Sequence, residues 1–79
     1  MTMRNDRIAS NAEAVTPSDT AFVDYVGLYV GGTGDVTVVG ESGDPVTFSA
    51  CPVGLRIDMR ITQVMDTDTT ATLLVGFIA

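Results

Sequence analysis

Apolar and polar residues alternate in short runs along the chain after residue 22, and turn-forming residues separate the runs. Alternation with a period of two is typical of strands, because successive side chains point to opposite faces of a sheet. Glycine, proline and aspartate mark the turns at residues 31–34, 41–45 and 66–70. The pattern predicts strands over residues 25–30, 35–39, 46–51, 55–64 and 71–78.

Two of these runs predict more than a strand. In residues 55–64, Leu55, Ile57, Met59 and Ile61 alternate with polar residues, which predicts one core face and one face toward water or a partner. Residues 71–78 are almost entirely apolar, as is typical of a strand covered on both faces. We expect another subunit to supply the second cover, which makes Leu73, Val75 and Phe77 interface candidates.

Residues 1–22 differ in composition from the rest and lack a sustained apolar period. Pro17 disfavours a helix that runs into it. We therefore predict an N-terminal arm over residues 1–22 and a β domain over residues 23–79. The arm is expected to lie on another chain, with Arg4 and Arg7 meeting carboxylates there; packing on its own domain is the alternative. Short strands with little helix signal predict an all-β fold, a small antiparallel β-sandwich or barrel.

Composition favours association. A chain of 79 residues buries a small share of its surface, and its single cysteine and lack of histidine provide neither an internal disulfide nor a zinc site of the usual kind. We expect a homo-oligomer. With ten acidic residues, four arginines and no lysine, the formal net charge is −6, so nucleic acid and anionic membranes are poor partners. The first residues lead into no apolar stretch, and we expect synthesis and assembly in a cytoplasm.

The candidate chemical groups favour structural interpretations. Without histidine, Cys51 lacks the usual base, and a buried or half-buried strand thiol is the favoured interpretation. Asp66 and Asp68 lie among threonines, where turn chemistry explains them better than catalysis or a calcium site. The glycines of residues 31–34 lack the lysine of a phosphate loop. The sequence thus predicts no enzyme activity, no cofactor and no transition metal.

Two pairs of side chains are further interface candidates. Arg56 and Arg60 lie on the polar face of the 55–64 run, with Asp58 between them. This predicts either an exposed face with weak ion pairs or a strip that contacts acidic groups on a neighbouring copy. Tyr25 and Tyr29 share a strand face and favour a core or an interface over a sugar-binding platform.

Several stretches together resemble the head-spike base family of gene transfer agents and related tailed phages. The order and spacing carry the resemblance over about residues 15–79. The stretches are Val15-Thr16-Pro17-Ser18-Asp19, Leu28-Tyr29-Val30-Gly31, Gly34-Asp35, Val46-Thr47-Phe48, Pro52 with Gly54, Arg60-Ile61 with Val64, and Thr69-Thr70-Ala71-Thr72. The chain departs from the family at Asp58, Thr62 and Gln63, where more arginine is usual, and at Asp68, where a turn glycine is expected.

The resemblance implies a β-structured virion protein on the capsid surface, at five-fold vertices, that forms a base for a head spike or fibre. Its implied partners are further copies of itself (a pentamer, with a trimer as the alternative), the major capsid protein and a spike or fibre protein. A decoration or cement protein at three-fold positions is the nearest alternative. A receptor- or carbohydrate-binding module is a third.

Overall fold

The computed structural model describes residues 10–79, which form two antiparallel sheets and contain no helix. Among these residues there is accordingly no helix long and apolar enough to cross a membrane. The strands are β1 (Asn11–Ala14), β2 (Gly27–Tyr29), β3 (Gly34–Val39), β4 (Pro45–Cys51), β5 (Arg56–Ile57), β6 (Gln63–Val64) and β7 (Val75–Ile78). One sheet has the order β1-β7-β2-β5 and the other the order β4-β3-β6. The all-β prediction is confirmed.

The core lies between the two sheets and is aliphatic. Leu28 from β2 and Ile57 from β5 meet Val36 and Val38 from β3 and Val64 from β6. Alternation in the sequence predicts core positions for Leu28 and Ile57, whereas it places Val64 on the polar face of the 55–64 run. The two strands predicted over residues 35–39 and 46–51 form the β3–β4 hairpin.

The predicted strand over residues 55–64 is two short strands in different sheets. β5 pairs with β2 in the four-stranded sheet, and β6 pairs with β3 in the three-stranded sheet. Between β5 and β6 the chain bends at Met59, and Ile61 forms an isolated antiparallel bridge with Tyr25. The alternation of buried Ile57 and Ile61 with exposed Arg56 and Asp58 persists through the bend, because the chain follows the edge of one core from sheet to sheet.

Part of the predicted arm belongs to a sheet of its own chain. Residues 11–14 form β1, an edge strand paired antiparallel with β7. Farther along, the Ser18 amide donates to the Val64 carbonyl and the Val23 amide donates to the Thr62 carbonyl. The expectation that the arm lies on another chain is therefore wrong for residues 10–22, because backbone pairing holds them without an apolar period. Residues 1–9, with Arg4 and Arg7, lie outside the described residues, and the arm–domain boundary at residue 22 stays a prediction.

Candidate interaction surface

The outer face of the four-stranded sheet brings together four of the predicted interface residues. Tyr29 of β2 lies opposite Arg56 of β5 on one side and Val75 of β7 on the other. Phe77 lies two residues beyond Val75, opposite Gly27. The intervening residues of these strands, including Leu28 and Ile57, point into the core. We call Tyr29, Arg56, Val75 and Phe77 the outer-face cluster.

Local packing explains the arrangement of the outer-face cluster. A Cβ atom on Gly27 would come 3.2 Å from a ring carbon of Phe77, so the missing side chain leaves room for that ring. The Arg56 guanidinium lies over the same ring, 5.0 Å from its centroid, which is a cation–π distance. Arg56 also pairs with Asp58 at 3.4 Å, but both side chains are more than half exposed, so the ion pair contributes at most about 1 kcal/mol.

Leu73 is a further exposed apolar residue, two positions before β7 begins. Its side chain is 76% exposed, and its backbone has φ = 54°, a left-handed conformation that is unfavourable for a bulky residue. The Gly31 amide donates to the Leu73 carbonyl at 3.1 Å, so the two chain segments approach closely here. The turn in the backbone buries both Ala71 and Leu74 and leaves Leu73 outside.

The structure separates the remaining candidates from this surface. The Tyr25 ring is only 3% exposed and lies against Gly76, so it offers no area to a partner in this fold. Arg60 lies in the connection between the sheets, where it pairs with Asp24 at 3.2 Å and with Glu41 at 3.3 Å. Arg56 and Arg60 therefore do not form one continuous strip, because their strand segments belong to different sheets.

Burial also sets the chemistry of two ionisable groups. Desolvation, followed by the hydrogen bond and charge of Glu13, raises the pKa of Tyr25 to about 12. Burial, together with the charge of Asp35, raises the pKa of the Cys51 thiol, which keeps it protonated and unreactive. Cys51 is buried, as the sequence predicts for a structural thiol.

The 66–70 turn is anchored by a carboxylate from outside the turn, that of Asp19. The Asp19 carboxylate accepts from the Asp66 and Thr67 amides, both at 2.9 Å, and from the Thr67 hydroxyl at 2.6 Å. The Thr67 bonds are the main reason why the pKa of Asp19 is lowered. Asp68 has φ = 65°, which explains why a glycine would suit this position. Across residues 10–79, no three His, Cys, Asp or Glu side chains converge in a way that could hold a metal ion.

Sequence reasoning missed one exposed element, the uncharged strand β4. All its side chains are exposed except those of Phe48 and Cys51, and Val46 is 55% exposed. Two other large apolar side chains, Phe22 and Val53, are 80% and 60% exposed. Phe22 lies in the arm and Val53 in the turn between β4 and β5, so no strand period marks either one as a surface residue.

No family model matches the chain, and no curated protein matches it. Among solved structures, it is similar to a chain of "Capsid of native GTA particle computed with C5 symmetry". The TM-score is 0.81 and the sequence identity is 28%, over 96% of this chain and 90% of that chain. The similarity thus includes both sheets and nearly the full length of each chain.

Proposed function

We propose that this protein is a structural component of a phage-like capsid, and specifically that it forms an oligomeric base at the five-fold vertices on which a head spike or fibre stands. The observation that carries the proposal is the near-complete structural similarity to a chain of a gene transfer agent capsid. The similarity supports a capsid-associated role for this chain. The vertex position and the spike-supporting role rest on the family resemblance of the sequence.

The surface chemistry agrees with a structural role. The chain has ten acidic residues and four arginines, and residues 10–79 contain nine of the acidic residues and two of the arginines. Asp6, Arg4 and Arg7 lie outside the described residues. Both arginines within residues 10–79 are ion-paired within the chain. Such a surface repels nucleic acid and suits a capsid protein that presents neutral or basic groups. The outer-face cluster and Leu73 provide an apolar area for that contact.

The proposal includes the absence of catalysis. The thiol of Cys51 is buried with a raised pKa, and the chain contains no histidine that could act as its base. The carboxylate of Asp19 is occupied by hydrogen bonds to the 66–70 turn. These groups support the fold, and the function follows from assembly with the capsid.

The test is to locate the protein in purified particles. We expect a C-terminally tagged chain to be labelled at the five-fold vertices in electron micrographs, and symmetry-focused reconstruction to show its density there in rings of five. Density at three-fold positions would instead establish the decoration-protein alternative. Particles that lack the protein altogether would refute a capsid role.

A matched pair of variants tests the proposed contact surface. Leu73→Ser removes an exposed apolar side chain from the proposed contact surface, whereas Val53→Ser removes one from the turn between β4 and β5. We expect Leu73→Ser to reduce the amount of the protein in particles about tenfold, because interface energy concentrates in a few apolar anchors. Val53→Ser should be incorporated normally. Equal incorporation of both variants would exclude Leu73 from the capsid contact.

A further inference from the structure

The backbone of β4 has unused hydrogen-bonding groups at the edge of the three-stranded sheet. The Thr37 carbonyl of β3 accepts from the Met65 amide, and the Val39 carbonyl accepts from the Thr62 amide, so both point away from β4. Thr47 is the partner of Thr37 across the β3–β4 hairpin. In an antiparallel ladder, the N–H and C=O of Thr47 must therefore also point away from the pair, toward the outside of the sheet.

A second exposed edge with the same property lies on β1. The Val15 amide donates to the Leu74 carbonyl of the neighbouring chain segment. The alternation of the ladder then directs the N–H and C=O of Ala14 away from β7. Within residues 10–79, β1 is an edge strand with β7 as its one strand neighbour, and all four of its side chains are exposed. Ala12 is partly satisfied, because its amide donates to the Asn11 side chain at 2.9 Å.

These two edges end different sheets. In the four-stranded sheet, β1 is separated from β5 by β7 and β2. In the three-stranded sheet, β4 is separated from β6 by β3. Two different edges of one subunit can pair head to tail, and such heterologous contacts form a ring when the rotation between subunits closes.

The two edges carry little charge, so a second copy of this chain can pair there despite the repulsion between whole chains. Two chains with a net charge of −6 repel each other, and they can approach most easily where no carboxylate lies between them. β4 carries no charged side chain from Pro45 to Cys51. β1 carries one, Glu13, whose carboxylate accepts the Tyr25 hydroxyl of its own chain at 2.8 Å.

We propose that β4 of one copy pairs with β1 of a second copy, so that strand addition joins the subunits head to tail. This proposal rests on the proposed function in one respect: an oligomeric base in the form of a ring requires head-to-tail contacts between its subunits. The pairing would provide hydrogen-bond partners for the outward N–H and C=O groups of Thr47 and Ala14. Unpaired groups of this kind at an exposed strand edge otherwise promote aggregation.

Proline variants test the pairing because both outward N–H groups are unused within the subunit. Thr47→Pro and Ala14→Pro should each weaken self-association about tenfold or more in sedimentation experiments, since proline cannot donate at a strand edge. Thr47→Val is the matched control. It removes the same 2.8 Å contact between the Thr37 and Thr47 hydroxyls but keeps the N–H, and it should associate like the unmodified protein.

Mixing the two proline variants identifies which edges pair. Thr47→Pro keeps its β1 edge and Ala14→Pro keeps its β4 edge, so an equimolar mixture should form heterodimers and nothing larger. Dimers of Ala14→Pro alone would show that β4 pairs with β4 about a two-fold axis, and would overturn the proposal. Circular dichroism confirms that each variant is folded before its association is measured.

Cross-linking gives an answer that does not depend on proline. A chain carrying both Ala14→Cys and Thr47→Cys should give a ladder of trimers and larger species with a short bismaleimide, whereas each single variant should not. Cross-linked dimers from Thr47→Cys alone, or no ladder from the double variant, would refute the pairing. A positive ladder with no protein at capsid vertices would instead refute the proposed function and leave the pairing intact.

Discussion

The Tyr25 hydroxyl donates a 2.8 Å hydrogen bond to the Glu13 carboxylate and thereby connects the core to the edge strand β1. The Tyr25 ring is buried, whereas Glu13 lies on the exposed strand. A core residue thus fixes the segment that the sequence predicts as part of an arm. Ordering of residues 11–14 depends on this side chain as well as on the backbone pairing with β7.

Burial of Tyr25, together with this bond, predicts a loss of stability at alkaline pH. The pKa of Tyr25 is raised from 10.0 to about 12 in the folded chain. A raised folded-state pKa contributes stability that is complete below pH 10 and is lost as the pH rises from 10 through 12. The loss should reach about 2 kcal/mol at the upper end of this range. Urea unfolding between about pH 8 and about pH 12 measures it.

Tyr25→Phe should flatten this pH dependence, because the titrating hydroxyl is gone. Tyr29→Phe is the matched control, since Tyr29 is half-buried on the outer face, and it should keep the alkaline loss. A Tyr25→Phe variant whose stability still falls between pH 10 and 12 as in the unmodified chain would show that another group is responsible.

Asp19 anchors the 66–70 turn, and its removal should loosen that turn. Asp19→Ala deletes one carboxylate that accepts three hydrogen bonds. We expect a lower melting temperature and faster amide exchange at Asp66 and Thr67, because their N–H groups lose their acceptor. Asp44→Ala, in the exposed β3–β4 turn, is the control and should change neither measurement.

The same carboxylate predicts an acid sensitivity of opposite sign to that of Tyr25. The pKa of Asp19 is lowered from 3.8, chiefly by the Thr67 hydroxyl and amide. A lowered folded-state pKa contributes stability that is present above pH 3.8 and is lost as the pH falls through the folded value. The stability difference between the unmodified chain and Asp19→Ala should therefore shrink below pH 3.8. A constant difference across the acid range would contradict the assignment.

Gly76 is required because the Tyr25 ring occupies the space of its missing side chain. A Cβ atom at this position would lie 2.6 Å from two ring carbons. We expect Gly76→Ala to destabilise the fold by about 1–3 kcal/mol, the usual cost of overpacking a core. Gly43→Ala separates this effect from backbone strain, because Gly43 has φ = 87° and no atom lies within 4 Å of the position that its Cβ would take. Its cost should be about 1 kcal/mol; equal costs would argue against the clash.

Alternation in the sequence predicts the hairpin and core faces, but it cannot reveal where a strand changes register. Regular alternation along residues 46–51 predicts that Cys51 points to one face of the strand and that Phe48 and Ala50 point to the other face. In the structure, a bulge lies between the pairs Val36–Phe48 and Gly34–Cys51, and Ala50 has φ = 54°. The extra residue turns Cys51 into the core. Such a bulge depends on contacts across the sheet, including the bond from the Ala50 amide to Asp35.

The strand β1 was hidden from sequence reasoning for a related reason. Asn11, Ala12, Glu13 and Ala14 have neither the β-branched residues nor the alternation that predict strands. Their partner β7 lies more than 60 residues away in the sequence. The pairing uses the free edge of β7, where Glu13 lies opposite Gly76. The outer-face cluster could be predicted in part, because the excess of apolar residues in 71–78 already indicates a second covered face.

Leu73 combines backbone strain with exposure, and replacing it should separate stability from assembly. A left-handed conformation costs a leucine about 1–2 kcal/mol, whereas asparagine tolerates it better. The side chain is 76% exposed, so its removal loses little packing. We therefore expect Leu73→Asn to raise the free energy of unfolding by about 0.5–1 kcal/mol while lowering incorporation into particles. Thr72→Asn, at the neighbouring exposed position, should do neither. If Leu73→Asn were more stable and incorporated normally, the strained leucine would have no role in capsid contact.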